Sequence, residues 1–129
     1  MKLLLDTHVL VWWATSDARL SGRAISAISD ASEVHFSLIS FWELCLKTNK
    51  KRHDLPFDKE ELAELRDGFL SQGFSELTLD ANACFRAAAL PKHHRDPWDR
   101  MIIATAQQRK LTIISSDSKF KNYQVSLLW

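Results

Sequence analysis

The 129-residue chain contains little cysteine, glycine or proline, with two, three and three residues of each. Both cysteines, Cys45 and Cys84, lie in apolar helical patterns, which predicts buried reduced thiols instead of a disulfide framework. No stretch rich in glycine, proline or serine marks a linker, and no internal repeat or low-complexity tract is visible. We therefore expect residues 1–129 to form a single domain with one core.

The sequence also lacks an excess of charge, because 17 Lys and Arg residues are matched by 16 Asp and Glu residues, a net charge of +1. A nucleic-acid partner would therefore have to be bound by a local basic patch. The N-terminal apolar run ends at Asp6, too early for a secretory signal, and no stretch approaches the roughly 20 apolar residues of a membrane span. These features predict a cytoplasmic protein without a membrane partner.

What the chain does have is a regular alternation of strand-like and helix-like segments, with 46% hydrophobic residues. The predicted strands are residues 2–6, 33–38, 75–79 and 112–115, with a short last strand in VSLL. The predicted helices begin at about Thr7, at Ser21, at SFWELCLKTNKKR, and after the capping residues Asp58, Asp80 and Asp96. The alternation predicts an α/β fold, a three-layer α/β/α sandwich with a central, mainly parallel sheet.

Four acidic residues are placed at or near the predicted strand ends. Asp6 ends the first strand, and Asp117 follows TIIS. Glu43 lies near the start of the helix after the second strand, and Asp99 lies in the first turn of the helix before TIIS. Because open parallel sheets bind ligands beyond the carboxyl ends of their strands, we expect these four side chains to share one crevice.

Two of these acids have apolar surroundings that a surface role does not explain. Asp99 precedes Ile102, Ile103 and Ala106 by three, four and seven residues, so it lies over the core-facing side of its helix. Glu43 is flanked by apolar residues, and burying a carboxylate without a partner is costly. Two carboxylates about 5 Å apart repel by about 3 kcal/mol at an effective dielectric near 20, so the crevice requires protonation or a cation.

A cation held only by carboxylates favours Mg²⁺ or Mn²⁺ over Zn²⁺, and such sites cleave phosphodiesters. Local explanations stay open for individual acids. Asp6 could be the N-cap of the next helix, and capping is sufficient to explain Asp96. Asp117 could belong to a turn in SSDSK.

The segments LLLDTHVLVW, FSLISFWELCLK, HRDPWDRMIIATA and TIISSD resemble, in this order, the motifs of the PIN domain. More specifically, they resemble the VapC-like ribonuclease toxins of type II toxin–antitoxin systems, over essentially the whole chain. The resemblance implies that Asp6, Glu43, Asp99 and Asp117 bind Mg²⁺ or Mn²⁺ and catalyse RNA hydrolysis, with Asp96 in support. It also implies products with a 5′-phosphate and a 3′-hydroxyl, a cognate antitoxin protein and a homodimer.

Hydroxyl and basic side chains near these acids have two interpretations each. The hydroxyl residues next to the acids are Thr7, Ser37 and Ser115, which either support the acids or form ordinary caps and turns. The basic residues around the DPWDR motif are His93, His94, Arg95 and Arg100, which either contact RNA phosphates or belong to a solvated loop.

A second basic run and a pair of tryptophans are also candidates for contacts with partners. The run comprises Lys47, Lys50, Lys51, Arg52 and His53, and it either complements a helix dipole or flanks an RNA groove. Trp12 and Trp13 are adjacent and cannot face the same side of a helix, so we expect at least one of them to be exposed.

Rival functions are distinguished by particular residues. A phosphotransfer enzyme of the haloacid dehalogenase type requires a second acid two residues after Asp6, where this chain has His8. A receiver domain requires an acid pair after the first strand, and Asp6 has no acidic neighbour. The alternative that stays open is a PIN-fold module that binds a partner and has lost catalysis.

Overall fold

The computed structural model describes residues 1–51 and 53–129. Its strands are β1 (Lys2–Leu5), β2 (Glu33–Ser37), β3 (Ser75–Leu77), β4 (Thr112–Ile114) and β5 (Ser126–Leu128). They form one sheet in the order β3-β2-β1-β4-β5, and every neighbouring pair is parallel. The predicted α/β class with a central parallel sheet is confirmed.

The helices are α1 (Thr7–Thr15), α2 (Gly22–Asp30), α3 (Leu38–Thr48), α4 (Lys59–Ser71), α5 (Ala81–Ala89) and α6 (Pro97–Arg109), with a 3₁₀ helix over Ser118–Asn122 that was not predicted. The predicted caps Asp58, Asp80 and Asp96 each accept a hydrogen bond from the first turn of their helix. Helix α3 ends before the predicted KKR segment, in which Arg52 lies outside the described residues. Among the described residues, no helix combines the length and the apolar character that crossing a membrane requires.

The sheet is buried on both faces because successive residues of a strand point to opposite sides. Leu3 and Leu5 pack in one core with residues of α1, α2 and α4, while Leu4 packs in a second core with Ile102 and Ile103 of α6. All three leucines of β1 are fully buried, and each contributes roughly 1.5–3 kcal/mol to folding by leaving water. This double burial explains why β1 is a continuous apolar run and places it at the centre of the sheet.

The two adjacent tryptophans lie on different sides of α1, but neither is exposed. Trp12 packs against the C-terminal Trp129, with ring centroids 5.7 Å apart. Trp13 packs against Phe74, with ring centroids 6.3 Å apart. The expectation of an exposed tryptophan at this position is therefore wrong, because both sides of the helix are covered by segments distant in sequence.

Parallel pairing brings the carboxyl ends of the strands to one edge of the sheet. The backbone N–H of Asp6 continues the ladder by donating to the carbonyl oxygen of Ile114 at 3.1 Å. Ser115 donates in the same way to Leu128 at 3.3 Å. The residues that follow β1 and β4 are thereby held side by side.

Candidate active site

Asp6 is fixed at the end of β1 by hydrogen bonds to both carboxylate oxygens. Its Oδ1 accepts the backbone N–H of Thr7 at 2.7 Å, which caps α1, and its Oδ2 accepts the hydroxyl of Ser115 at 2.8 Å. The residue is only 4% exposed. Burial raises the pKa of Asp6 above its ordinary value, although these hydrogen bonds and the charge of His8 act to lower it. The N-cap role and the site role are therefore combined in one side chain.

Glu43 lies on α3 and is 7% exposed. Its Oε2 is 3.4 Å from the ammonium of Lys47, one turn further along the helix. Its Oε1 is buried and has no hydrogen-bond partner. A buried carboxylate oxygen without a partner lowers the stability of the fold. A cation bound to this oxygen would offset that cost.

Asp99 lies in the first turn of α6, and the pKa of its carboxyl is strongly raised. Burial, and after it the nearby charges of Asp6, Asp96, Glu43 and Asp117 in that order, together raise its pKa to about 8. All four other acids are therefore near enough for their charges to act on Asp99. The repulsion among these charges indicates that the carboxylates lie together in one crevice, as was predicted from the strand ends.

Asp117 follows β4 and begins the 3₁₀ helix. Burial acts to raise the pKa of its carboxyl, but hydrogen bonds from the backbone N–H of Lys119 and from His94 outweigh it, so the pKa lies below its ordinary value. The bond from Lys119 measures 2.9 Å and ends at Oδ1. Asp117 therefore forms the turn predicted for it through Oδ1. Its other carboxylate oxygen, Oδ2, contacts His94 in the site.

His94 joins Asp99 to Asp117. Its Nε2 lies 2.9 Å from Oδ2 of Asp99 and 3.0 Å from Oδ2 of Asp117. Its Nδ1 accepts the backbone N–H of Asp96 at 3.2 Å. Since Nδ1 is an acceptor, the ring proton is on Nε2, which forms its hydrogen bond with Asp117, while Oδ2 of Asp99 lies in close contact with the same nitrogen.

The surroundings of His94 differ from those expected of an RNA contact in a solvated loop. The residue is buried, and its backbone N–H donates to the hydroxyl of Tyr123 at 2.7 Å. That hydroxyl in turn donates to the carbonyl oxygen of Pro91 at 2.7 Å. In the sequence, the contact of His94 with the acids was indicated only by its position two residues before Asp96. That position did not distinguish it from its exposed neighbour His93.

Arg100 also has partners other than those proposed from the sequence. Its guanidinium donates to four backbone carbonyls, those of Ala87, Leu90, Pro91 and His94, at 2.8–3.2 Å. The side chain therefore fastens the loop between α5 and α6, which corrects its assignment as an RNA contact. Of the predicted basic contacts, His93 and Arg95 are the exposed ones.

The supporting residues have separate roles. Ser115 bonds directly to Asp6, as expected. The hydroxyl of Thr7 instead donates to Ser40 at 2.9 Å, and only its backbone N–H reaches Asp6. Ser37 accepts the N–H of Ile39 and caps α3. Asp96 caps α6 by accepting the N–H of Trp98, and its charge acts on Asp99.

The donor set fits a hard divalent cation. Ligand atoms of His94, Asp99 and Asp117 lie within 4.8 Å of one another, and the orphaned oxygen of Glu43 belongs to the same group of interacting charges. Carboxylate oxygens are the ligands that Mg²⁺ and Mn²⁺ prefer. With its proton on Nε2, His94 is a hydrogen-bond donor to Asp117 and not a ligand in this arrangement.

Comparison with known proteins decides the family. The sequence profile of the PIN domain matches residues 3–125. The chain belongs to the PIN domain family. This PIN domain is 30% identical over 123 residues to ribonuclease VapC22 of Mycobacterium tuberculosis, an alignment covering 95% of this chain and 92% of that protein.

Solved structures share the fold of this PIN domain. VapBC2 from Rickettsia felis, bound to a DNA fragment from its promoter, matches with a TM-score of 0.72 and 19% identity, covering 99% of this chain and 98% of that one. DNA-bound VapBC from Salmonella typhimurium matches with a TM-score of 0.73 and 18% identity, covering 99% and 97%. At these identities the structures demonstrate the common fold alone.

Proposed function

We propose that this PIN domain is a metal-dependent endoribonuclease and the toxin of a type II toxin–antitoxin pair. The observation that carries the proposal is the crowding of acids around the half-buried Asp99, whose pKa is raised to about 8 by burial and by the charges of these acids. Such crowding costs stability, and a divalent cation would relieve it. The 30% identity to ribonuclease VapC22 supports RNA as the substrate.

The roles of the side chains follow from their hydrogen bonds. Asp6, Asp99 and Asp117 would hold one or two Mg²⁺ or Mn²⁺ ions, with Ser115 and the α1 N-terminus keeping Asp6 in place. Glu43, with one free oxygen, would ligate a metal or orient the attacking water. A bound Mg²⁺ lowers the pKa of water and stabilises charge on the phosphate. No side-chain nucleophile is required.

The partner proposal rests on the structural relatives and on one exposed surface. A matched structure from Klebsiella pneumoniae is by its name a toxin–antitoxin complex, which supports an antitoxin for this chain. For the homodimer, α3 presents the exposed apolar side chains Leu38, Trp42 and Leu46 at four-residue intervals. An exposed apolar stripe of this kind is typical of an interface between proteins.

The rival function is an inactive PIN-fold module that binds a partner, and turnover distinguishes the two. Purified protein would be incubated with structured and single-stranded RNAs in Mg²⁺ or Mn²⁺, with EDTA, and as the Asp99→Asn variant. The matched control is Asp58→Asn, which makes the same change at the N-cap of α4, where Asn also caps well. Cleavage lost with EDTA and Asp99→Asn but kept in Asp58→Asn supports the nuclease.

Two outcomes would contradict the proposal. Equal cleavage by the unaltered and Asp99→Asn proteins would mean that Asp99 only stabilises its helix. If no RNA is cleaved, calorimetric titration of the unaltered and Asp99→Asn proteins with Mn²⁺ tests the metal site. Equal binding of Mn²⁺ by both proteins would contradict a metal site at Asp99.

A further inference from the structure

A cavity of about 360 Å³ borders the acidic site between α1, α3 and the segment after α3. This volume falls in the roughly 300–1,000 Å³ range of ligand sites. The cavity is adjacent to the acids through two of its lining residues. His8 follows Thr7 at the start of α1, and Lys47 bridges to Glu43 at 3.4 Å.

The charge of the cavity is opposite to that of the acidic site. Among the described residues, three cationic side chains line it, Arg19, Lys47 and Lys50, against one acid, Asp54, while Asp17 and Glu43 pair with Arg19 and Lys47 from beside the cavity. A polyanion approaching the acids would be repelled by them, and the neighbouring cations offset this repulsion. Because the net charge of the chain is only +1, the overall electrostatic field of the protein cannot offset this repulsion.

Arg19 presents a fixed planar group at this cavity. Its Nε and one terminal nitrogen donate to both carboxylate oxygens of Asp17, at 3.0 and 2.8 Å. Its guanidinium carbon lies 5.1 Å above the ring of Trp12. The side chain is nevertheless 69% exposed. A guanidinium held in this way is a surface on which a nucleobase stacks at little further cost in entropy.

We propose that this cavity is a nucleotide subsite for single-stranded RNA. Lys47 and Lys50 bind the phosphate, and the base stacks on the guanidinium of Arg19, which Trp12 supports from behind. The subsite receives the nucleotide next to the phosphate held at the acids, since Lys47 contacts both regions. This assignment rests on the proposed nuclease function and adds to it the surface that holds the flanking RNA.

The test measures binding separately from cleavage. The probe is 3′-fluorescein-labelled octauridylate, titrated in EDTA and followed by fluorescence anisotropy over a series of salt concentrations. We expect Lys50→Ala to weaken binding and to reduce the slope of log affinity against log salt by about 0.7, the value for one phosphate contact on a single strand. The neighbouring Lys51→Ala is the matched control, because Lys51 is exposed but does not line the cavity.

A second variant separates stacking from charge. Arg19→Lys keeps the positive charge but removes the planar guanidinium on which the base would stack. We therefore expect the affinity for octauridylate to fall by roughly fivefold or more, while the slope of log affinity against log salt stays the same. Arg19 and Lys50 are both exposed, so their replacement leaves the core intact, and far-UV circular dichroism would verify folding.

The outcomes for the subsite and for the nuclease are distinguishable. No binding of octauridylate, or affinities of Lys50→Ala and Arg19→Lys equal to that of Lys51→Ala, would overturn the subsite even if cleavage is normal. Binding that responds to these variants, in a protein that cleaves no RNA with Mg²⁺ or Mn²⁺, would keep the subsite and overturn the nuclease.

Discussion

His94 and Asp99 are joined by a contact of 2.9 Å between Nε2 and Oδ2, within a site where four other acids act on Asp99. The N–H of Asp96 at Nδ1 requires the neutral tautomer with the proton on Nε2. We predict that ¹⁵N NMR of the metal-free protein will show a protonated Nε2 and an unprotonated Nδ1 at His94. A protonated Nδ1 would contradict the hydrogen-bond assignment.

Removing the imidazole of His94 should destabilise the metal-free protein more than the metal-bound protein. In EDTA, His94→Ala should lower the free energy of unfolding by about 1–3 kcal/mol, because Asp117 loses a hydrogen-bond donor and Asp99 loses the imidazole beside it. With saturating Mn²⁺ the loss should shrink, since the cation replaces the lost N–H as a source of positive charge. Urea unfolding in both conditions measures this, with the exposed His93→Ala as control. An equal loss in both conditions would argue against a shared site.

The raised pKa of Asp99 predicts a pH dependence of stability. Its folded pKa, about 8, is above the ordinary 3.8, so the folded state holds the proton more tightly than the unfolded chain. The metal-free protein should therefore lose stability as pH rises through 8, by about 2 kcal/mol between pH 5 and 8 after allowance for solvent screening and a proton shared among the acids. The acids with lowered pKa, such as Asp117, act below this window.

The Asp99→Asn variant checks the assignment of this dependence. Its urea midpoint in EDTA should vary less between pH 5 and 8 than that of the unaltered protein, because one of the two acids with a raised pKa is gone and Asp6 remains. The affinity of the unaltered protein for Mn²⁺ should rise over the same range, since metal and proton compete for the carboxylates. A dependence that survives in Asp99→Asn would have to be assigned to another group.

Glu43→Gln should change stability and activity in opposite directions. The substitution removes one of the charges that raise the pKa of Asp99, so the metal-free protein should be as stable as the original or more stable. Cleavage, if present, should fall by roughly 10²-fold or more, as when a group that handles the attacking water is removed. The exposed Glu64→Gln on α4 is the control. A large loss of stability with normal turnover would make Glu43 a structural residue.

Arg100→Ala should destabilise the fold by about 2–3 kcal/mol, because the guanidinium donates to one carbonyl at the end of α5 and to three carbonyls of the loop that follows. Arg100→Lys should recover little of this, since an ammonium cannot reproduce the planar arrangement of donors. Arg95→Ala, on the same loop but exposed, should stay within about 0.5 kcal/mol. Thermal denaturation of the three variants would show whether Arg100 is structural.

The exposed stripe on α3 predicts the oligomeric state. Trp42 is 57% exposed between Leu38 and Leu46, so Trp42→Arg should convert a homodimer to a monomer in sedimentation velocity experiments. Ile25→Arg, the same kind of change on α2, should leave the dimer unaffected. A monomeric unaltered protein, or a dimer that tolerates Trp42→Arg, would contradict an interface at α3.

The local pattern of the sequence was sufficient for the elements and the acids. Apolar runs and capping residues predicted each strand and α-helix to within a few residues, because hydrogen bonds at helix ends involve neighbours in the chain. The same patterns placed Asp6 at a strand end and Asp99 over an apolar helix face. Parallel pairing then brought these acids to one edge of the sheet.

The partners of the loop between α5 and α6 were decided only by the tertiary structure. His94 meets Asp117, 23 residues away, and Tyr123, 29 residues away, while Arg100 reaches back to Ala87. Basic residues in an irregular segment, or in the first turn of a helix as Arg100 is, have no periodicity that indicates their direction, so sequence alone made His93, His94, Arg95 and Arg100 equivalent. Their roles differ because the packing of α5, α6 and the 3₁₀ helix buries some donors beside acceptors and leaves the others in solvent.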